Sequence, residues 1–395
     1  MNPAPMLPYG RQSINKDDIA AVVDALHSDF LTTGPCVESF EKALAESCGA
    51  KHAIAVANGT AALHIATLAA GLKPGQRLLT SANTFLASAN CAEFVGAIAD
   101  FADIDPHTHN VTTETLRAAW CDDVRVIVPV DFAGRPCEMP VISDLARERG
   151  ALVIEDASHA IGSELTHGGK TYKIGGHPWA DMTTFSFHPV KTVTTGEGGA
   201  ILTNNDKLAD RCRLFRNHGM VRTAGQFQGL GNGTTNEFGP WYYEMLTVGF
   251  NYRVTDFQCA LGLSQIKRLD SFTTRRQQIV NAYQAQFTGL RSLSLPATNN
   301  CRTGWHLFVV EIDFAKLGKS RTQVMAELRQ RGVGTQVHYI PVHLQPYYRN
   351  KYGYAASKCP VAERYYTRCL SLPLFPAMTD CDVHRVVQAV REVIA

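Results

Sequence analysis

Short apolar runs alternate with amphipathic stretches along the first two-thirds of the chain. "KHAIAVANGTAALHIATLAAGL" sets the pattern: Ala53–Ala57 predicts a strand, "NGT" a turn and Ala61–Ala70 a helix. It repeats in "RLLTSANTFLASANCAEFVG", "AIADFADID", "VRVIVPVDFAG", the helix of "MPVISDLARERG", "ALVIEDASHAIG" and "MTTFSFHP". Upstream, Asn15 is placed to cap a helix in "INKDDIAAVVDALHS", and Pro35 and Gly49 bracket a second one. Near-continuous apolar strands separated by helices predict an α/β fold, a mostly parallel sheet covered on both faces.

After the long helical stretch "GLSQIKRLDSFTTRRQQIVNAYQAQF" the pattern changes. "HLFVVEIDF" and "VGTQVHYI" read as strands and "RTQVMAELRQRG" as a helix. Val383, Val386, Val387 and Val390 mark one face of a terminal helix. The expected division is a large domain over 1–275 and a smaller α/β domain over 276–395. The stretch 221–247 is rich in Gly, Asn and Thr and long for a connection, so it reads as a functional or mobile flap. Its Trp241, Tyr242 and Tyr243 suit either uridine binding or a packed dimer interface.

Composition narrows the classes. With 395 residues, 45% apolar and 19% charged, the chain can bury a sizeable core. The net charge of +2 and the lack of Lys/Arg blocks give no support to nucleic-acid binding. No apolar run reaches a membrane span, and the N-terminus lacks a signal-peptide pattern. The 11 cysteines show no CxxC pair and sit among apolar residues, as expected of a reduced cytoplasmic protein. No metal-ligand spacing occurs. "HGGKT" at 167–171 fails as a P-loop because Glu164 stands where the first glycine is needed, and "GLGNG" at 229–233 follows no strand.

Ligands of an open parallel sheet bind beyond the C-terminal ends of its strands. Asp156 and His159, then Ser186, His188 and Lys191, then Asn58, Gly59 and Thr60, then Thr84 and Phe85 all follow predicted strands. Each alone has a plain structural reading: a cap, a turn, a core ring, a satisfied histidine. Together they form the set that pyridoxal 5'-phosphate requires. A half-buried lysine has its amine shifted toward neutrality and becomes a nucleophile for the aldehyde. A carboxylate pairs with the pyridine nitrogen, a helix N-terminus holds the phosphate, and an aromatic face covers the ring.

The segments "NGTAALHIA", "EDASHAIGS", "FSFHPVKTVTTGEGGAILTN", "FRNHGM", "GFNYRVTDFQCALGLSQIKRL" and "VHYIPVHLQPYY" resemble the DegT–DnrJ-type sugar aminotransferases, a fold-type I group of pyridoxal-phosphate enzymes, over nearly the full length. The resemblance implies roles. Lys191 bonds the cofactor aldehyde, Asp156 pairs the ring nitrogen, Phe85 stacks on the ring and His159 lies beside its hydroxyl. Thr60, Ala61 and Ser186 cradle the phosphate. Asn251 reaches a neighbouring subunit's phosphate and Arg253 faces phosphate or a substrate anion. His188, His338, Tyr339 and His343 line the sugar pocket. Some members carry His in place of the lysine and become dehydratases; Lys191 implies aminotransfer.

"FRNHGM", "GPWYYEM" and "DASHAIGSE" are similar to the subgroup that makes UDP-4-amino-4,6-dideoxy-N-acetyl-altrosamine for pseudaminic acid. That implies L-glutamate as donor, a UDP-linked 4-keto-6-deoxy-N-acetylhexosamine as acceptor, and a homodimer with shared active sites. The alternatives are another nucleotide-linked keto-sugar, such as a dTDP-sugar or a UDP-4-keto-pentose, and more distantly a non-catalytic nucleotide-sugar binder or a nicotinamide oxidoreductase.

Overall fold

The computed structural model describes residues 5–229, 239–298 and 301–394. The expectations on "GLGNG" beyond Gly229, and on the middle of the 221–247 stretch, lie outside the described residues.

Two helices, α1 (Lys16–His27) and α2 (Pro35–Cys48), open the chain. Asn15 caps α1 by accepting the Asp18 N–H, and Gly49 ends α2 at φ +75°. Then follow β1 (His52–Val56), α3 (Gly59–Ala70), β2 (Arg77–Ser81), α4 (Ala87–Phe94), β3 (Ile98–Ala102), α5 (Thr113–Ala119), β4 (Val124–Val128), α6 (Met139–Glu148) and β5 (Leu152–Asp156). A surface hairpin, β6 (Glu164–His167) and β7 (Lys170–Lys173), precedes β8 (Met182–Ser186), β9 (Gly199–Thr203) and α7 (Asp206–Arg216).

The main sheet has seven strands in the order β1-β9-β8-β5-β4-β2-β3. Only β9 runs against the rest, pairing antiparallel with both β1 and β8. Alternate side chains feed opposite faces. Ile54, Val56, Ile154 and Ile201 join α3, α4 and α7 in one core. Ala53, Ala55, Ala200 and Leu202 meet α2 on the other face, and Val153 meets α6 there. The helix α3 is apolar nearly all round and buried, which fits a helix enclosed by sheet and neighbouring helices.

A two-residue ladder, β10 (Met220–Val221) with β11 (Glu244–Met245), brackets the long connection. The long helical stretch expected over 262–287 falls in two helices, α8 (Asp256–Ile266) and α9 (Leu269–Phe287), broken at Lys267 and Arg268. Next come β12 (Leu293–Ser294), β13 (Phe308–Ile312), α10 (Phe314–Leu317), α11 (Arg321–Gln330), α12 (Pro346–Tyr352), α13 (Pro360–Arg368), β14 (Cys369–Leu372) and α14 (Asp380–Ile394). A second apolar core joins α9, α11, β13, β14 and α14, with Ile279 early in it and the four terminal-helix valines inside.

The expected boundary at 275 thus falls within α9, and Leu7 from the N-terminal segment reaches into this second core. Conversely, Tyr348, Cys359, Ala362 and Tyr365 from α12 and α13 pack on the first core. "VGTQVHYI" is not a strand. It makes only isolated bridges, Val333 with Leu7 and Gln336 with Ser371 at the edge of β14.

Candidate active site

Strands β1, β8, β5, β4 and β2 all end on one edge of the sheet, and a cavity of about 810 Å³ opens there. That is ample for a cofactor with a substrate. Its lining includes Thr60, Phe85, Asp156, His159, Ser186, His188, Lys191, His338 and Tyr339.

Lys191 sits on a tight turn after β8, its N–H donating to the His188 carbonyl at 2.8 Å. The rest of the loop is pinned. Thr194 Oγ1 donates to the Phe187 carbonyl at 2.9 Å, and Thr195 N–H reaches the same carbonyl at 3.0 Å. Burial pulls the Lys191 pKa from 10.5 down to about 8, with the charge of Asp156 opposing. A meaningful fraction of the amine is therefore neutral near pH 7, which a surface lysine never achieves.

Asp156 ends β5 and is buried. Its Oδ2 accepts from Ser88 Oγ at 2.6 Å, and Ser88 in turn contacts Thr84 Oγ1 at 2.7 Å. Its Oδ1 accepts the Ser158 N–H at 3.1 Å. The carboxylate is thus aimed by neutral donors alone and keeps its charge for the cavity.

The phosphate end is built at α3. Asn58 caps the helix by accepting the Ala61 N–H at 2.8 Å, and the first-turn N–H groups of Gly59 and Thr60 have no carbonyl within the helix to bond. Ser186 lies beside them: a Cβ on Gly59 would come within 2.9 Å of Ser186 Cβ. A Cβ on Gly199 would fall 2.5 Å from the Asn58 carbonyl, so only glycine lets β9 pass this close to the cradle.

Two histidines and a tyrosine wall the other side. His159 accepts the Ala133 N–H at Nδ1, 3.2 Å away, so its neutral ring carries hydrogen on Nε2, 3.3 Å from Tyr339 Oη. Burial, then Lys191 and His338, holds its pKa well below 6.5. His338 bonds Ser371 Oγ at 2.7 Å, and burial with Lys191 nearby pushes its pKa down to about 3. Burial also raises the Tyr339 phenol well above its usual range.

Ala61 and His343 do not line this cavity, and Asn251, expected to serve a neighbouring subunit, and Arg253 also lie outside it. Ala61 is buried with its N–H already bonded to Asn58, whereas Gly59, Thr60 and Ser186 line the cavity. His343 does not line the cavity: it is fully buried, with Nε2 2.9 Å from Glu363 Oε1. Arg253 donates to Asn217 Oδ1 at 2.7 Å, and Asn251 is exposed in a bridge to Asn217; neither lines the cavity of its own chain. Sequence reasoning missed Tyr9, Glu197, His306 and Gln336, which do line it.

This donor set fits pyridoxal phosphate: a softened amine, a buried carboxylate, a helix N-terminus and a cradle that a Cβ would fill. Comparison with known proteins decides the matter. The family model for the DegT/DnrJ/EryC1/StrS aminotransferases matches residues 12–391. The chain belongs to this family. It is a pyridoxal-phosphate-dependent sugar aminotransferase.

Among its relatives, the spore coat polysaccharide biosynthesis protein SpsC of Bacillus subtilis is 40% identical, over 98% of this chain and 97% of that one. The Helicobacter pylori aminotransferase PseC, involved in pseudaminic acid biosynthesis, superposes with a TM-score of 0.88 at 28% identity, covering 98% of this chain and 99% of its own. The putative sugar aminotransferase Spr1654 of Streptococcus pneumoniae, in its pyridoxal-phosphate form, gives 0.87 at 26% identity over 99% and 100%.

Proposed function

We propose that this aminotransferase moves the amino group of L-glutamate to C4 of a UDP-linked 4-keto-6-deoxy-N-acetylhexosamine, in the pathway to pseudaminic acid, and works in the cytoplasm as a homodimer. The observation that carries the chemistry is Lys191, with its amine near pKa 8, facing one cavity with Asp156 and the α3 N-terminus. The likeness to PseC supports the sugar.

Pyridoxal phosphate, when bound, supplies an aldehyde that carries the amino group and a ring that takes up electron density. Gly59, Thr60 and Ser186 would hold its phosphate, Asp156 would keep a proton on the ring nitrogen, and Phe85 and His159 would flank the ring. Lys191 Nζ would take the proton from the donor α-carbon in the first half, in which a water supplies the keto oxygen of the departing 2-oxoglutarate, and would move a proton at sugar C4 in the second. His188, His338 and Tyr339 meet the sugar. The second apolar core defines the smaller domain, which closes this side of the cavity with His338 and Tyr339.

Asn251 is exposed and outside its own chain's cavity, the position needed to serve a neighbour's phosphate, with Arg253 beside it. If sites are shared, mixing Lys191→Ala and Asn251→Ala chains restores activity that neither has alone. A second reading, another nucleotide-linked keto-sugar destined for a surface polysaccharide, is favoured by the 40% identity to SpsC. Assay with UDP- and dTDP-linked 4-keto-sugars separates the two: glutamate-dependent turnover of only the dTDP-sugar would overturn the first.

A further inference from the structure

His306 lies in "TGWHLF", just before β13, and lines the cavity beside Lys191 and His159. It is buried, and its ring centroid is 4.4 Å from that of His159. Among the described residues neither of its ring nitrogens has a hydrogen-bond partner, and Nδ1 is shut off from solvent. Nε2 is therefore the nitrogen left free to bond a ligand in the cavity.

The backbone around it is held firmly. The buried Arg276 guanidinium donates to the carbonyls of Trp305, His306 and Leu374 at 3.1, 3.2 and 2.9 Å. Gly304 N–H donates to Ser163 Oγ at 2.8 Å. A ring kept this rigid at a cavity wall is pre-organised for a ligand.

We propose that His306 is a binding residue for the amino acceptor, meeting a hydroxyl or carbonyl oxygen of the sugar with Nε2, the ring nitrogen that is not sealed off. This rests on the keto-sugar reading of the same cavity. Nε2 of a neutral imidazole donates or accepts one hydrogen bond according to tautomer, which suits a neutral oxygen group. Burial, with His159 and Lys191 close by, holds His306 uncharged, so it is a poor partner for the two carboxylates of L-glutamate. Lys191 is the one Lys or Arg among the described residues lining the cavity.

The test compares the wild-type holoenzyme with His306→Phe, which keeps a ring against His159 and removes both nitrogens, and with His306→Gln, which restores a donor and an acceptor. The readouts are KM for the UDP-linked 4-keto-sugar, calorimetric Kd for the aminated UDP-sugar, and the single-turnover rate with L-glutamate. In His306→Phe, KM and Kd rise roughly tenfold while the glutamate rate stays within about twofold; His306→Gln recovers most of the loss. Unchanged KM and Kd in His306→Phe, an equal loss in the glutamate step, or a Gln variant as impaired as Phe overturns the proposal. Absence of sugar turnover in the wild type overturns the substrate reading and this inference together, whereas a wild type that turns over beside an unchanged variant overturns this inference alone.

Discussion

Glu155 and Asp156 are consecutive on β5, yet they serve opposite sides of the sheet. Glu155 is sealed off: both its oxygens lie 3.0 Å from His177 Nε2, Thr183 Oγ1 donates to it at 2.8 Å, and neither side chain of the ion pair reaches solvent. Asp156 is also buried, but among the described residues its carboxylate bonds only the neutral Ser88 Oγ and Ser158 N–H, and it opens on the cavity that holds Lys191. Strand alternation sends one carboxylate to the α6 side and the other to the α3 side. A buried acid whose charge is already matched braces the fold. One aimed by neutral donors keeps its charge for a ligand.

The sharpest way to break this contrast is at the ligand side. Lys191→Ala removes nucleophile and proton carrier together and lowers kcat by roughly 10³-fold or more, with the melting temperature unchanged or raised because a half-buried cation is lost. Retained turnover contradicts the assignment. Asp156→Asn keeps the shape and removes the charge; kcat falls roughly 10²-fold or more while the far-ultraviolet spectrum is unchanged. Glu155→Gln, one residue away, does the reverse. It leaves kcat within about twofold and costs roughly 3 kcal/mol in denaturant unfolding, because His177 loses its counter-charge. Equal activity losses at 155 and 156 would dissolve the distinction.

Acidity separates the two regions as well. Burial lowers the His177 pKa, but the charge and hydrogen bond of Glu155 outweigh it and raise the value above 6.5 overall. The folded state thus binds this proton more tightly than the unfolded chain. The pair's contribution to stability is complete below about pH 6.5 and is lost as pH rises through the raised value. Lys191 shifts the other way, to about 8, so uptake of pyridoxal phosphate by the apoprotein accelerates roughly fivefold from pH 7 to pH 8 as the amine loses its proton. A rate flat over that range contradicts a softened amine. The smallest effect belongs to His343→Asn: paired with Glu363 away from the cavity, it leaves KM for the sugar within about twofold.

Much of this was legible before the fold was known. The strand-turn-helix repeats located β1, α3, β5 and β8, and residues that follow strand ends, Thr60, Asp156, Ser186 and Lys191, share the cavity. What local pattern could not give is what distant segments bring. Tyr9 arrives because its carbonyl accepts the Leu374 N–H at 3.0 Å, and His306 because Arg276 clasps its backbone; a lone aromatic and a lone histidine carry no local mark of either. The reversed β9 looks like any apolar strand, since direction is set by its neighbours rather than its composition. The resemblance implies a sugar-pocket role for His343, but the turn at Val342–Leu344 in which it sits carries it to Glu363.

The most direct test of the central claim is the visible absorption of the purified protein before and after L-glutamate. The account predicts a yellow protein whose colour is discharged by L-glutamate, with one 2-oxoglutarate released per site, and a Lys191→Ala variant that is not discharged. A protein that stays colourless after incubation with pyridoxal phosphate, or a colour indifferent to L-glutamate, would contradict it.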